Sequence, residues 1–432
     1  MSKVLLVGGG GREDAVARRI VESGSVLFSA LKNRNPSILG MSTGHIICDE
    51  LDYARIVEFA AENRVEIAFI GPDPVLDTDL ASELERKGIL VASPSRNAAR
   101  IETSKAFMRD LLDRHGIEGN IFSRLFTDSA EVERFLSEDG RDFAIKPIGL
   151  TGGKGVRVMG EHLNSKKEAG DYAASLVEKD GRVLLEEKLT GEEFSLQVFT
   201  DGKTIARTPL AQDFKRAYEN DMGPNTGGMG SITDSDSLLP FIGRSSYEKA
   251  VSIMQSIVTA MNRDGIPFRG IMYGQFMETA QGPKVIEINA RFADPESLNI
   301  LSLFRGDFTE LLYSIAEGSL KTRFSFEKKA TVLKYIVPEG YGTKPLPGVL
   351  SIDRAGMDKD VCLYYAAVSG TMNEVEMSTS RSLALVGAAE SIENASELVE
   401  RNLKNITGKY YVRHDIGSRE MMERKMKRFR RV

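Results

Sequence analysis

Ile145-Lys146-Pro147-Ile148-Gly149-Leu150-Thr151-Gly152-Gly153-Lys154-Gly155-Val156 decides how this chain is built. Glycines around a lysine let backbone N–H groups approach an anion, and the lysine adds a point charge for phosphoryl oxygens. A Walker A loop needs GxxxxGK followed by Ser or Thr, set between a strand and a helix. Here the spacing is one residue short, Gly155 follows Lys154, and both flanks, 142–146 and 156–159, are strand-like. The segment is expected to be a flexible β-hairpin lid over phosphates, with Lys146 and Lys154 as its cations.

Working outward, Ser104-Lys105-Ala106-Phe107 opens a helix that runs to about His115. Downstream, Leu184-Leu185-Glu186-Glu187-Lys188-Leu189 ends a strand in a hinge, whose backbone can meet an adenine edge. The carboxylates of Gly191-Glu192-Glu193 follow, suited to ribose hydroxyls. Residues 270–278 and 284–289 pair as a hairpin turned at Gln281-Gly282. On its second strand Glu287 and Asn289 share a face, a hard-oxygen pair that suits Mg²⁺, and Gln275 on the neighbouring strand is expected to point into the same site. Arg291 is expected to extend that row towards a phosphoryl or carboxylate group. Between these lie Gln212-Asp213-Phe214-Lys215-Arg216 and Gly223-Pro224-Asn225-Thr226-Gly227-Gly228-Met229-Gly230, a charged turn and a polar glycine loop suited to grasping a substrate.

The first hundred residues alternate short apolar runs with helical patterns, the rhythm of a doubly wound parallel sheet. Gly8-Gly9-Gly10-Gly11-Arg12-Glu13 fails as a dinucleotide fingerprint, because Glu13 stands where GxGxxG needs its last glycine. No acid for a ribose follows the second strand, at Lys32-Asn33-Arg34-Asn35. A helix N-terminus holding some other phosphate fits better, with Arg12 supplying charge. Residues 326–432 are expected to form a supporting α+β domain. Six of the last nine residues are basic, which is the pattern of a solvated helix end rather than a nucleic-acid arm.

Composition excludes other chemistries. The 432 residues carry 57 basic and 62 acidic groups, a formal charge of −5, with no general pull towards nucleic acid. No stretch approaches the ~20 apolar residues of a membrane span, and the chain runs directly into a strand, so no secretory signal is expected. Cys48 and Cys362 are too far apart in sequence for a ligand motif, and the four histidines lack metal or triad spacing. Twelve of the 40 glycines instead cluster in three loops, 8–11, 149–155 and 223–230.

This order of parts resembles the ATP-grasp superfamily. More narrowly, Gly10-Gly11-Arg12-Glu13, Asp213-x-Lys215-Arg216, the 223–230 loop and Arg291-Phe292-x-Asp294-Pro295-Glu296 are similar to the phosphoribosylamine–glycine ligase (glycinamide ribonucleotide synthetase) family, up to about residue 300. Beyond that the likeness rests on length and on Asp415-Ile416-Gly417. The sequence departs from the family's usual form at Asp14 (usually His), Ala293 (usually Gly), Gln275 (usually apolar) and the segment 31–39.

The resemblance implies an α/β and α+β multidomain fold: an N-terminal doubly wound parallel-sheet (pre-ATP-grasp) domain at 1–102, a central ATP-grasp domain at 103–325 with its β-hairpin lid at about 120–190, and a small C-terminal α+β domain at 326–432. It implies ATP-dependent joining of glycine to 5-phosphoribosylamine through a glycyl phosphate, in purine biosynthesis. Lys105, Lys146, Gly152, Gly153, Lys154 and Gly155 would contact ATP phosphates, Glu186, Glu187 and Leu189 adenine, and Glu193 ribose. Gln275, Glu287 and Asn289 would hold Mg²⁺ or Mn²⁺. Arg291 would stabilise the transferred phosphoryl group, and Lys154 would assist. Asp213, Lys215, Arg216, Asn225, Thr226, Gly227 and Asp294 would surround glycine and the amine, and Gly10, Gly11, Arg12 and Glu13 the phosphoribosyl end. The expected setting is cytoplasmic, as a monomer or weak homodimer, with small-molecule substrates and neither nucleic acid nor membrane as partner. Alternatives are another ATP-grasp carboxylate–amine ligase or a non-catalytic ATP-binding regulatory protein.

Overall fold

The computed structural model describes residues 1–149 and 155–429. Its N-terminal part is a five-stranded parallel sheet in the order Gly44–Ile47, Val26–Leu31, Lys3–Val7, Ile67–Ile70, Leu90–Val91. Val4 to Val7 and Ile67 to Ile70 are buried along their whole length, as expected of parallel strands covered on both faces. Helix Gly11–Glu22 starts directly after the first strand, so its N-terminus faces the carboxyl end of the sheet.

The lid is a four-stranded sheet, Ser123–Phe126, Val183–Glu187, Phe143–Lys146, Arg157–Val158, backed by helices Ser129–Glu138 and Lys166–Asp180. Phe126, Val132, Phe143, Ile145 and Leu185 form a core of its own, separate from the main one. The strands flanking the glycine loop pair antiparallel, Ala144 with Val158, as a hairpin lid requires. Leu150 and the expected phosphate ligands Gly152, Gly153 and Lys154 lie outside the described residues.

The central sheet has eight strands, in the order Gly282–Asn289, Arg269–Thr279, Glu192–Asp201, Ile205–Asp213, Gly230–Thr233, Ala330–Ile336, Leu383–Ala389, Val361–Tyr365. Its first five strands precede residue 300 and its last three come from the C-terminal part, so the third domain grows out of this sheet through the Gly230–Thr233 pairing with Ala330–Ile336. A four-stranded sheet, Val368–Gly370, Glu374–Met377, Val349–Ile352, Ile406–Gly408, completes that part. Helix Arg244–Arg263 buries Ala250, Ile253, Met254 and Ile257 as one face. Helix Glu296–Leu303 is buried almost all round and brings Glu296, at its first turn, to the middle of the molecule. No helix among the described residues is long and apolar enough to cross a membrane.

Candidate active site

The end expected to take ATP begins at Lys146, buried at the end of its lid strand. Its Nζ lies 2.5 Å from Glu186 Oε2, and Arg109 binds both Glu186 oxygens, Nε to Oε1 at 2.8 Å and Nη2 to Oε2 at 3.0 Å. Arg109 also donates to the carbonyls of Val285 and Ile286, at 2.9 and 3.0 Å. Sequence reading put Glu186 in an adenine hinge. Its carboxylate anchors Lys146 and ties the lid to the strand that carries Glu287. Burial alone would raise the Glu186 carboxyl; Arg109 and Lys146 outweigh it and hold it at about 2. The folded pKa lies below the unfolded one, so this ion pair stabilises the fold above about pH 4.5 and is lost as pH falls towards 2. Glu186→Gln strands two buried cations and should cost roughly 3 kcal/mol, read as a lower denaturation midpoint in urea, together with a raised KM for ATP. An unchanged midpoint would remove Glu186 from this role.

Lys105 opens its helix and donates Nζ to the Gly149 carbonyl at 3.0 Å, at the base of the glycine loop. Glu187 is half-buried and accepts the Phe122 amide on Oε1. Among the described residues the backbone N–H and C=O of Leu189 have no partner, which leaves a hinge edge open to a base. Glu193 Oε2 takes the Gln275 amide and Lys215 Nζ, the latter at 3.4 Å.

Glu287 faces Gln275 in register across the hairpin, and Asn289 Nδ2 donates to Glu287 Oε1 at 3.3 Å. A carboxylate beside an amide is a hard-oxygen donor set of the kind Mg²⁺ takes. Burial pushes the Glu287 carboxyl up, but Lys215, Lys146, the Asn289 hydrogen bond and Lys105 outweigh it and keep it below the ordinary range. Gln275 departs from expectation. Its Oε1 accepts the Tyr273 hydroxyl at 3.2 Å and its Nε2 donates to Glu193, so its amide is used in positioning Glu193 rather than left for a metal. Arg291 also departs: the strand ends at Asn289, and the guanidinium turns to Glu102 Oε1 at 3.0 Å and Asp73 Oδ1 at 3.2 Å. Glu102 accepts the Ala290 amide at 2.7 Å, and burial pushes its carboxyl up to about 7 against the pull of Arg291.

The substrate turn follows strand Ile205–Asp213. Lys215 is surrounded by Glu193, Asp213, Glu287 and Glu296, which together hold its ammonium charged against the cost of burial. Asp213 Oδ1 and Glu296 Oε1 are buried without a hydrogen-bond partner among the described residues. Burial first, and then Glu296, hold the Asp213 carboxyl well above its ordinary value. Two facing carboxyl groups with open oxygens beside a lysine are suited to an ammonium-bearing ligand. Gly228 is a glycine of necessity: its φ is +103°, and a Cβ there would stand 2.7 Å from Asp213 Oδ1 and 2.6 Å from Pro295 Cδ. Thr226 N and Oγ1 both donate to the Lys215 carbonyl at 2.8 Å, folding the glycine loop back on the turn. Asn225 pairs in register with Arg216, whose Nη1 donates to the Gly223 carbonyl at 3.0 Å.

Asp294 is clamped by two residues that sequence reading missed. Tyr335 OH donates to its Oδ1 at 2.6 Å, and Arg381 Nη2 meets Oδ2 at 3.0 Å. Arg381 also donates to the carbonyls of Gly227 and Asp294 and lies 4.6 Å from the Tyr335 ring centre. The same Tyr335 hydroxyl would stand 2.5 Å from a Cβ on Gly11, so the N-terminal glycine loop and Asp294 pack on one phenol. Glu13 caps helix Gly11–Glu22, accepting Gly10 N at 2.9 Å and Arg12 Nε at 2.7 Å, while Arg12 Nη1 donates to the Phe292 carbonyl at 3.0 Å. Asp73 sits 3.8 Å from Arg12 and bridges it to Arg291. Tyr335→Phe keeps the ring and removes one hydrogen bond to a carboxylate, worth about 1.5–3 kcal/mol of stability, so the melting temperature should drop and kcat/KM should fall at least tenfold in the folded variant. Equal kcat/KM values would show that Asp294 needs no such support.

Glu296 was within reach of sequence reading, since it ends the quoted Arg291–Glu296 stretch. Asp73, Glu102, Tyr335 and Arg381 carry no local signal. Asp14 is fully buried and accepts Ser37 Oγ at 2.6 Å and Tyr365 N at 2.8 Å, tying the N-terminal and C-terminal parts together. In the divergent 31–39 segment, Asn33 and Asn35 donate to the carbonyls of Val368 and Tyr365, at 3.0 and 2.7 Å.

Family models for phosphoribosylglycinamide synthetase match the chain in three consecutive pieces: the N domain at 2–102, the ATP-grasp (A) domain at 103–297 and the C domain at 331–419. The chain is 43% identical over 426 residues to a phosphoribosylamine–glycine ligase of Thermococcus gammatolerans, covering 98% of this chain and 96% of the relative. It is 45% identical over 427 residues to that of Methanoregula boonei, covering 98% of each. In fold it resembles the crystal structure of a phosphoribosylamine–glycine ligase from Thermotoga maritima, with a TM-score of 0.79 at 23% identity over 96% of this chain and 99% of the other.

Proposed function

The chain belongs to the phosphoribosylglycinamide synthetase family, and on that premise we propose that it is an ATP-dependent ligase joining glycine to 5-phosphoribosylamine, giving glycinamide ribonucleotide, ADP and phosphate in purine biosynthesis. The observation that carries this reading is the meeting of two sites at Lys215: Glu193 and Glu287 on the ATP side, Asp213 and Glu296 on the other.

A carboxylate is a poor electrophile, and phosphorylation gives it a leaving group. A glycine carboxylate oxygen bonds to the γ-phosphorus as the bond to the β-phosphate bridging oxygen breaks, releasing ADP. The amine nitrogen of phosphoribosylamine then bonds to the acyl carbon, phosphate leaves with the bond electrons, and the amine loses a proton. Most of the work is positioning and charge neutralisation. Lys105 and Lys146 face the phosphates, which Lys154 would also contact; Leu189 and Glu187 face the base, and Glu193 the ribose. Glu287 and Asn289 would hold Mg²⁺ or Mn²⁺, which neutralises phosphate charge. Arg291, fixed by Glu102 and Asp73, stands at the junction for the transferred phosphoryl group. Asp213, Lys215, Arg216, Asn225, Thr226, Gly227 and Asp294 enclose glycine and the amine, and Gly10, Gly11, Arg12 and Glu13 receive the phosphoribosyl end. The enzyme works in the cytoplasm as a monomer or weak homodimer.

The test is coupled ADP release with phosphoribosylamine generated in situ, with and without glycine. Release should depend on both substrates. Release that ignores glycine, or that accepts larger amino acids equally well, would leave only the ATP-grasp assignment.

A further inference from the structure

The basic C-terminal segment closes over the substrate turn from outside. Arg413 has no solvent exposure, yet it is a full charge. Its fork makes four bonds: Nε to Asp415 Oδ1 at 2.9 Å, Nη2 to Asp415 Oδ2 at 2.8 Å, and Nη1 to both the Arg216 carbonyl and Asp221 Oδ1 at 3.0 Å. Asp415 Oδ2 in turn accepts the Asn220 amide at 2.9 Å, and Arg424 donates to the Asn220 side chain. One residue further along helix Arg419–Phe429, Lys425 Nζ is 3.4 Å from Glu192 Oε2 and 5.2 Å from the centre of the Phe214 ring. The Arg413 guanidinium lies 5.6 Å from the same ring. Phe214 is buried and sits between Asp213 and Lys215 in the chain.

The consequence falls on the backbone of the turn. The Lys215 carbonyl is held by Thr226 of the glycine loop, and the next carbonyl, that of Arg216, is held by Arg413. Two successive peptide planes pinned from opposite partners fix where the Lys215 side chain starts. Desolvating an arginine costs several kcal/mol, and core packing alone does not require a charge there. A planar five-donor fork is the group that can satisfy a backbone carbonyl and two carboxylates at once.

We infer that Arg413 is a positioning residue for the substrate turn, with the helix bearing Arg424 and Lys425 as the strap that holds it in place. This deepens the ligase reading and rests on it. It also assigns Arg424 and Lys425 of the basic C-terminal helix to the support of the enzyme's own active site.

The test compares Arg413→Lys and Lys425→Met with the wild type in the ADP-release assay, varying each substrate, alongside thermal melts. Lysine at 413 keeps the charge and loses the fork; methionine at 425 keeps the aliphatic cover on Phe214 and loses the charge. KM for glycine and for phosphoribosylamine should rise about tenfold in Arg413→Lys and a few-fold in Lys425→Met, with a distinctly smaller change in KM for ATP. Unaltered glycine and phosphoribosylamine constants in folded variants would overturn the proposal. A rise in all three constants in step would overturn it too, since a merely structural role predicts that. If Arg413→Lys fails to fold, Lys425→Met decides. A wild type without glycine-dependent release refutes the ligase reading instead, so the two failures are distinguishable.

Discussion

Glu287→Ala should reduce glycine-dependent ADP release by about a thousandfold or more while the protein still folds, with a melting temperature below that of the wild type. Glu287 is the carboxylate towards which Lys215, Lys146 and Lys105 all contribute, and those charges keep it ionised despite burial. Its removal leaves three cations without their anion and the Asn289 amide without its acceptor. Any divalent cation then has a single protein ligand. The fold survives because the core contacts of this strand come from Val285 and Ile288, both fully buried, and not from Glu287. Because the folded pKa is depressed, the favourable interaction of Glu287 with its lysines is present above about pH 4.5 and fades as pH falls. Calorimetric titration with Mn²⁺ and ATP gives a readout independent of turnover: the variant should lose the metal-dependent gain in ATP affinity. Near-normal turnover, or an unchanged metal dependence, would sink the assignment.

Lys215→Met should lower kcat/KM for glycine by about a thousandfold, with a smaller effect on KM for ATP. Both halves of the site act on Lys215: Glu193 and Glu287 on the nucleotide side, Asp213 and Glu296 on the other. Methionine fills similar volume, so the loss is chiefly charge. The variant also makes a pH prediction. Burial holds the carboxyls of Asp213 and Glu296 above their usual range, and at Asp213 the neighbouring Glu296 adds to it. Without the lysine their folded pKa values rise further. A carboxyl with a raised folded pKa stabilises the fold below its unfolded value near 4, and that stability is lost as pH rises through the folded value. The variant should therefore fall further behind wild type in melting temperature as pH rises above the ordinary carboxylate range. A gap that stays constant as pH rises would show that the two carboxyls do not sense Lys215, and an unchanged glycine KM would remove it from the substrate site.

Local pattern made much of this molecule legible. The parallel sheet follows from Val4–Val7 and Ile67–Ile70, because runs buried on both faces are apolar throughout. The hairpin carrying Glu287 and Asn289 follows from period-two alternation around a glycine turn. Strands Ile205–Asp213 and Gly230–Thr233 were less visible, since the second is only four residues long and follows a glycine loop. Helix Glu296–Leu303 was hidden for the opposite reason: buried almost all round, it has no polar face to set a period.

The glycine loops, the Glu-x-Asn pair, the Asp213–Arg216 turn and the resemblance they carry were all determined by sequence alone, because chemistry of this kind needs particular residue types at short spacing. The tertiary structure decided which charges meet. It turned Glu186 to Lys146 and Arg109, Gln275 to Glu193, and Arg291 to Glu102 and Asp73. It also brought Tyr335, Arg381 and Arg413 from the far end of the chain onto Asp294 and the substrate turn. A buried charge is tolerable only beside its partners, and strand pairing, not sequence distance, sets who those partners are.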